Sequence, residues 1–548
     1  MPTQTTNLPS LNEANERDPF NNNCYGTVVD QEYKMVSLPV LDVRDFNERI
    51  IRGYEEGTGE KYLPADLSVA RSLIPAGTAT LRDFSYIAPE IPEYIPENCT
   101  GCMDCVTECP DTAILGKVLA EDEWEAKLQT IPEPDREMFR KQWSKTRKYY
   151  DGPKKKGQAG GMFNIIIDPS KCKGCAECVT VCDDLALKMV HKTDQVMDTV
   201  RRSHRHFKNL GPSNPRYIND NLLIDMMLKE ETHIYTGGAG SCAGCGEGTA
   251  LRMMCSATGS KYGDQWGIVA ATGCNTVYTS TYPYNPYLIP WTNSLFENAP
   301  ADALGVRLRW DQMGWHDRPI WCIGGDGAMF DIGFQSLSRL LATGMHVKIF
   351  VLDTQVYSNT GGQASTSTYT GQNTKMSVHG KTLGGKQERR KEIAQIAMMH
   401  PRTFVAQTTC AHVNHFYKSV LGALEFDGPA VVTCYTTCQP EHGVADNMAT
   451  DQARLAVDSR AFPLLIYDPR KGDTIAKRLS LQGNPGVKED WYANPKTNEK
   501  ITFIDFARSE GRFGKHFDRD GNPSEVLLRA MEDRLENWHI LQELAGLR

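Results

Sequence analysis

Two runs of cysteine with one shared spacing set the terms for this 548-residue chain. The first is Cys99, Cys102, Cys105 and Cys109, followed by Pro110; the second is Cys172, Cys175, Cys178 and Cys182. Three thiols two residues apart can wrap one face of a cubane iron–sulfur cluster. The fourth, three residues further on, points away and ligates the neighbouring cluster. The expected pairing therefore crosses over: Cys99, Cys102, Cys105 and Cys182 around one 4Fe–4S cluster, Cys172, Cys175, Cys178 and Cys109 around the other. Structural zinc is the competing reading, but zinc uses paired CxxC knuckles and has no need of this fourfold spacing twice.

A third set is looser. Cys242 and Cys245 form a CxxC knuckle in a glycine-rich loop, fit for zinc or for iron–sulfur, while Cys274 and Cys438 stand alone further on. Cys24, Cys255, Cys322, Cys410 and Cys434 read as structural; Cys322 and Cys434 sit in apolar strand-like runs, where a thiol serves as a small buried hydrophobe. Cluster-type thiols and an odd total of 17 cysteines fit a reducing compartment. The N-terminus has no basic region followed by an apolar core. No apolar run approaches the roughly 18 residues that span a bilayer. A cytoplasmic protein without a membrane segment is expected. The net charge of −8 weighs against nucleic-acid binding. One basic stretch, Arg136, Lys141, Lys145, Arg147, Lys148 and Lys154–Lys156, reads by default as a solvated face, and more sharply as a docking surface for an acidic redox partner.

Residues 1–90 read as an arm or small packing domain, with a helix around Asp45–Tyr54 and a Pro-rich lead-in at Pro89–Pro96. Residues 91–195 form a small α+β, ferredoxin-like domain for two clusters. Its long insert holds helices at Glu121–Leu128 and Arg136–Lys148, separated by Pro132 and Pro134, and a loop at Lys154–Gly161. A linker, 196–231, follows. From 232 to 470 strands and helices alternate, which argues an α/β, doubly wound parallel sheet. Strands are expected at Gly267–Thr272, Pro319–Gly324, Val347–Leu352, Phe404–Gln407 and Ala430–Tyr435, with helices at Phe330–Thr343 and His412–Leu424. Residues 471–548 read as a C-terminal extension ending in an amphipathic helix, Ser524–Leu544. In such a sheet, ligands bind outside the carboxyl ends of the strands. Cys274, Asp326, Thr354 and Cys438 each fall just past a strand end and so gather on one edge. That makes Cys274 and Cys438 plausible ligands beside Cys242 and Cys245.

Gly325-Asp326-Gly327, followed by helix, strand, Thr354 and the Tyr357–Gln363 loop, has the layout of a thiamine-diphosphate site. Mg²⁺ takes octahedral oxygen ligation from few protein groups plus phosphate. Asp326 supplies the anion, Thr354 a hydroxyl and Val356 its backbone carbonyl. The glycines allow close approach, and the N-terminus of helix Phe330–Thr343 favours the diphosphate charge.

These motifs, with Cys242–Glu247, Ala271–Cys274, Trp291–Glu297 and Leu352–Gln363, resemble the pyruvate:ferredoxin oxidoreductase family over residues ~90–470. The resemblance implies that Cys242, Cys245, Cys274 and Cys438 hold a proximal third 4Fe–4S cluster. It implies that Asp326, Thr354 and Val356 bind Mg²⁺ and that Asn359 faces the reacting end of thiamine diphosphate, with Gly273 and Thr360 completing the cofactor-binding set. Two departures stand out: Asp183 follows the second run where a proline is usual, and Gln439-Pro440-Glu441-His442-Gly443 is one residue longer than the family pattern. His442 reads as a structural or surface histidine.

The implied activity is oxidative decarboxylation of a 2-oxo acid by coenzyme A, in either direction, with electrons leaving singly through the clusters to ferredoxin or flavodoxin. Pyruvate is favoured over 2-oxoglutarate or another 2-oxo acid. A non-redox thiamine-diphosphate decarboxylase would leave the cluster cysteines idle, and a pure electron-transfer subunit would leave Asp326, Thr354 and Asn359 unexplained. Only one doubly wound domain is present, so the resemblance implies a second subunit carrying the pyrimidine-binding and coenzyme A parts, in a symmetric heteromer.

Overall fold

The doubled cysteine run folds as a doubled backbone. In the computed structural model, which describes residues 43–62, 69, 73–279, 282–379 and 383–548, strand β1 (Glu90–Tyr94) leads into the first run. A short helix, Asp104–Thr107, and β2 (Ile114–Ala120) follow. The second run repeats the order: β3 (Gly161–Ile167), helix Glu177–Thr180, β4 (Leu187–His191). β1 pairs antiparallel with β4 and β2 with β3, so the two halves interlock. Gly101, Met103 and Thr112 take positive φ, and Gly174, Ala176 and Leu185 do so at the same offsets in the second run. Such residues reverse the chain within a step or two, and here they curl both runs in the same way. Thr112 and Leu185 differ by only a degree (φ 52 and 53), so Asp183 leaves the turn as Pro110 has it. The Pro-rich lead-in is itself strand β1. Pro92 is tolerated there because each strand of a two-stranded sheet keeps an edge that needs no N–H partner.

The insert builds a small core of its own. Helices Glu121–Gln129 and Glu133–Arg140 pack Trp124, Leu128 and Phe139 against Trp143, Met162 and Ile166. The single helix expected over Arg136–Lys148 is broken: it ends at Arg140, and a wide helical turn, Arg147–Asp151, follows. Pro134 lies in the first turn of its helix, where its missing N–H costs nothing. The expected loop at 154–161 begins as the helical turn Gly152–Lys155. Phe207 and Leu210 complete this core. Phe207 comes from helix Asp194–Lys208, so the stretch expected as a linker begins as packed helix. The basic stretch is largely paired: Lys145 and Lys154 reach Glu121 at 2.8 and 3.4 Å, Lys148 reaches Asp225 at 2.5 Å and Arg136 reaches Glu133 at 2.6 Å.

The larger unit is an eight-stranded sheet of β5 (Gly267–Ala271), β6 (Trp291–Ser294), β7 (Ile320–Gly325), β8 (Lys348–Asp353), β9 (Phe404–Thr409), β10 (Ala430–Tyr435), β11 (Leu465–Tyr467) and β12 (Leu479–Ser480). Its order is β12-β11-β9-β10-β8-β7-β5-β6. The six strands from β9 to β6 are parallel, while β11 runs against them at one edge and β12 pairs antiparallel with β11, so the sheet is mixed rather than wholly parallel. Side chains alternate between two cores. Ile268, Trp321, Phe350 and Val432 face one side, Val269, Cys322, Ile349 and Val431 the other. A sheet covered on both faces needs such continuous apolar runs, which is why its central strands were legible. Helix Gly246–Tyr262 lies between the sheet and the cysteine unit, and Met253 and Met254 join both to a single core.

The tail belongs to the sheet rather than extending from it. Helix Glu525–Leu544, capped by Ser524, buries Trp538 and Leu541 in the second core. The Trp538 indole N–H donates to Glu489 O at 2.8 Å, and Arg460 covers the ring at 4.3 Å. Replacing Trp538 with Ala should cost about 3–5 kcal/mol in urea unfolding. A loss below about 1 kcal/mol would mean that the tail is separable from the sheet.

Candidate functional site

Four adjacent strands, β10, β8, β7 and β5, end on one edge, and each carries a predicted site residue just beyond its last pair. Tyr435 pairs with Asp353 and Gly325 with Leu352. That register brings Cys438, Thr354, Asp326 and Cys274 to neighbouring strand ends. Thr354 Oγ1 lies 3.1 Å from Asp326 Oδ1 and 3.1 Å from the carbonyl oxygen of Val356. Oxygens of a magnesium octahedron with bonds of about 2.1 Å stand about 3 Å from their neighbours. Thr354 Oγ1 therefore stands at the spacing of an octahedron edge from each of the other two oxygens. Asp326 Oδ2 accepts from Ser365 Oγ and Ser367 Oγ at 2.5 and 2.6 Å. Burial and then the nearby Asp353 push the Asp326 carboxyl up to about 7, against the pull of Ser365, Ser367 and Arg390. A divalent cation would restore the ionised form.

Gln355, between the two donor positions, takes a left-handed φ of 57, an uncommon state for a non-glycine residue that its surroundings must hold. Arg512 donates to Gln355 Oε1 at 3.1 Å and is itself paired with Glu510 at 2.5 Å. Asp353, at the end of β8, is locked to Arg390. His442 is fully buried, with Nε2 2.8 Å from the Thr354 carbonyl and Nδ1 3.4 Å from the Cys438 N–H. Burial, with Arg512 close by, holds its imidazole neutral. It is thus structural and not on the surface: it ties Thr354 to the cysteine. The tail therefore reaches the back of the site through Glu510 and Arg512.

Gly273, Cys274, Gly325, Asp326, Gly327, Val356, Asn359 and Thr360 line one pocket with Glu247 and Phe296. Gly327 is needed chiefly for packing, since a Cβ there would meet the Tyr357 ring at 2.3 Å, whereas one at Gly325 would meet nothing nearer than 3.8 Å. The helix expected at Phe330 begins earlier, as the wide turn Gly327–Ile332, before the α-helix Phe334–Thr343. Asn359 and Thr360 lie exposed at the pocket mouth. The Thr360 hydroxyl bonds within its own loop, to Gln363 at 2.5 Å.

The cysteines gather as the crossed pairing expects. Cys99, Cys102, Cys105 and Cys182 line one cavity; Cys109, Cys172, Cys175 and Cys178 line another. The N–H of Ala113 reaches Cys109 Sγ at 3.3 Å, and in the equivalent place Ala186 N–H reaches Cys182 Sγ at 3.2 Å. Among the described residues no three His, Cys, Asp or Glu side chains close on one metal-sized point. The quartets instead surround a space, as the corner ligands of a four-iron core do. Burial raises the Cys102 thiol to about 11 and the Cys172 thiol to about 12, so both stay protonated at neutral pH while nothing is bound to them. Cys245 and Cys438 are within electrostatic reach of each other and of both Cys242 and Cys274. Gly246 permits this grouping, because a Cβ there would lie 2.5 Å from the backbone of Thr437. Cys255, Cys322, Cys410 and Cys434 are buried free thiols, and Cys24 lies outside the described residues.

Residues 271–434 match the C-terminal thiamine pyrophosphate-binding domain of thiamine pyrophosphate enzymes. The pyruvate synthase subunit PorB of Pyrococcus horikoshii is 36% identical over 289 residues, which are 52% of this chain and 86% of that subunit. The chain belongs to the pyruvate:ferredoxin oxidoreductase family. Over longer spans it is similar to the probable pyruvate-flavodoxin oxidoreductase of Escherichia coli, 28% identical over 80% of this chain and 41% of that protein. The pyruvate:ferredoxin oxidoreductase of Moorella thermoacetica is 26% identical over 86% and 43%. The chain spans about two-fifths of the length of these two relatives.

All the residues lining the strand-end pocket except Glu247 lie within the matched thiamine pyrophosphate-binding domain. Sequence reasoning passed over several residues that shape it. Ser365 and Ser367 hold Asp326 from a loop with no regular pattern, and no sequence signal marks them. Glu247 was visible as the last residue of the Cys242–Glu247 motif. It is 3% exposed, its Oε2 makes no hydrogen bond, and burial followed by Asp326 raises its carboxyl from 4.5 to about 8. The folded chain therefore keeps this proton over a range where the unfolded chain has lost it, so Glu247 costs stability as pH rises from about 4.5 to about 8. Cofactor-free Glu247→Gln should equal the wild type near pH 4.5 and gain on it up to about pH 8, then level off. Parallel urea-unfolding curves would contradict this.

Proposed function

We propose that the chain is the cofactor- and cluster-bearing part of a coenzyme A-dependent 2-oxo acid:ferredoxin oxidoreductase acting on pyruvate. The reaction interconverts pyruvate, coenzyme A and oxidised ferredoxin with acetyl-CoA, CO₂ and reduced ferredoxin. One observation carries the reading: Cys274 lines the same pocket as Asp326 and Val356 while grouping with Cys245 and Cys438. A ligand thiol in the cofactor wall joins the source of electrons to their first acceptor.

Thiamine diphosphate, when bound, supplies the electron sink for decarboxylating a 2-oxo acid. The chain's residues do the rest. Asp326, Thr354 and the Val356 carbonyl would hold Mg²⁺ with the diphosphate, for which Gly325 leaves room. Asn359, exposed at the mouth, would contact the reacting end of the cofactor. Cys242, Cys245, Cys274 and Cys438 hold the proximal of three 4Fe–4S clusters. The first unit is a ferredoxin-like domain holding the other two; of these two quartets, the one with the exposed Cys102 is nearer the surface, where an external ferredoxin or flavodoxin would be reduced.

The site is completed by another polypeptide. Val277, Leu295, Ile332, Met376, Val378 and Leu383 are exposed apolar residues on segments leaving the carboxyl ends of β5, β6, β7 and β8. Together with exposed Asn359 they suit coverage by a subunit carrying the pyrimidine-binding and coenzyme A parts, in a symmetric assembly. Relatives more than twice as long as their matched region fit that arrangement. Every described cysteine is a free thiol, as a cytoplasmic location requires. Among the described residues no helix is long and apolar enough to cross a membrane.

Asp326→Ala removes the only anionic donor. Affinity for thiamine diphosphate with Mg²⁺ should fall by more than about a hundred-fold, beyond the usual effect of losing a ligand's supporting partner, and turnover should fall with it. The iron content should be unchanged. Wild-type activity at low thiamine diphosphate would remove Asp326 from the metal. The lone chain, with its clusters reconstituted, should be inactive with pyruvate, coenzyme A and a viologen dye; full turnover without a second polypeptide would overturn the divided site.

A further inference from the structure

The cysteine groups are bolted together by charges that the chemistry above does not use. Lys173, between Cys172 and Gly174, and Asp111, two residues past Cys109, form an ion pair of 2.6 Å with both side chains 3% exposed. Both line the cavity of Cys109, Cys172, Cys175 and Cys178. The ammonium also leaves that unit. It donates to the carbonyl of Ala239 at 2.9 Å, and to the carbonyl and hydroxyl of Ser241 at 2.8 Å each. Ser241 Oγ returns to Asp111 Oδ1 at 3.4 Å. Ser241 immediately precedes Cys242. One buried cation therefore links the backbone of one cysteine quartet to the loop that carries the first ligand of the next. From outside, Arg82 braces the same loop through the Gly238 carbonyl at 3.2 Å.

The second cysteine of the knuckle is tied separately. Helix Gly246–Tyr262 starts directly after Cys245. On it, Thr249 donates to Glu108 O at 3.2 Å and Arg252 to Cys109 O at 3.2 Å, with a further bond to Val106 O. Arg252 thus fixes the helix, and Lys173 fixes the loop. Lys173, paired with Asp111, brings a positive charge to the cavity wall and to the Cys242 loop together.

We propose that Lys173 is a positioning residue for electron transfer between the Cys242–Cys438 group and the Cys109–Cys178 quartet. It sets their separation through the Ser241 loop and, as a cation balanced by Asp111, raises the reduction potential of the quartet's cluster. The step moves one electron, oxidising the first cluster and reducing the second, and makes or breaks no bond. The inference rests on reading both groups as cluster sites. Burying an ion pair against two backbone carbonyls and a hydroxyl is costly, and removing one partner leaves the other uncompensated.

The test uses the anaerobically reconstituted full chain, with iron analysis, an EPR-monitored redox titration, and the magnetic coupling between cluster spins in the fully reduced state. Lys173→Met should keep all the iron, lower the potential of the quartet's cluster and weaken its coupling to the proximal one. Adding Asp111→Asn in the same chain should return the potential toward wild type, because the charge balances again, while the coupling stays weak. Ser241→Ala, which spares both charges, should weaken the coupling and leave the potential alone. If Lys173→Met fails to hold its clusters, Ser241→Ala alone decides the positioning claim and Asp111→Asn the charge claim, the latter by raising the potential. Unchanged potential and coupling in iron-replete variants would overturn the proposal. A wild-type chain that lacks the third set of irons would instead overturn the cluster reading itself.

Discussion

Hydrogen-bonded register between four parallel strands is the constraint on which the site depends. β10, β8, β7 and β5 are neighbours in one sheet and run in one direction, so whatever follows their last paired residues emerges together. A slip of one residue along any strand would turn its inward side chains outward, and it would also part Thr354 from Asp326. The apolar faces on both sides prevent that slip. Thus burial at Trp321, Phe350 and Val432 on one side, and Cys322, Ile349 and Val431 on the other, holds Thr354 Oγ1 3.1 Å from Asp326 Oδ1.

The same economy runs through the buried charges. Asp353 with Arg390, Glu510 with Arg512, and Asp111 with Lys173 are all nearly inaccessible pairs, and each stands one step behind a site element rather than in it. Such pairs contribute little net stability against apolar replacements, but they penalise any other arrangement. Their value here is geometric. Arg512 holds the strained Gln355, His442 relates Thr354 to Cys438, and Lys173 relates Cys242 to the next quartet.

Much of this was legible because local pattern and global fold agree. The crossed grouping of the cysteines was legible from their spacing, and the same two quartets line the two cavities. The central strands were legible as apolar runs buried on both faces. The short strands of the first unit were not, because Pro92 and the mixed burial of β1 and β4 carry no period. Antiparallel β11 and β12 are too short to show one. Helix Asp194–Lys208 was missed because its buried apolar residues are few and divided, Met197 facing the main core and Phe207 that of the insert. In the site, residues with chemistry in their motif were found, whereas Ser365, Ser367 and Arg512 act only through the folded backbone. Glu247 lay in plain view, but nothing in sequence reveals that its carboxylate is buried beside Asp326.

The central claim is that one chain joins a thiamine-diphosphate site to three clusters through Cys274. The most direct measurement is quantitative metal and spectroscopic analysis of the anaerobically purified chain. About twelve irons per chain, three distinct 4Fe–4S signals and no stoichiometric zinc are predicted, with one cluster signal altered when thiamine diphosphate and Mg²⁺ are added. About eight irons with zinc at the Cys242–Cys245 knuckle, or three clusters all indifferent to the cofactor, would contradict it.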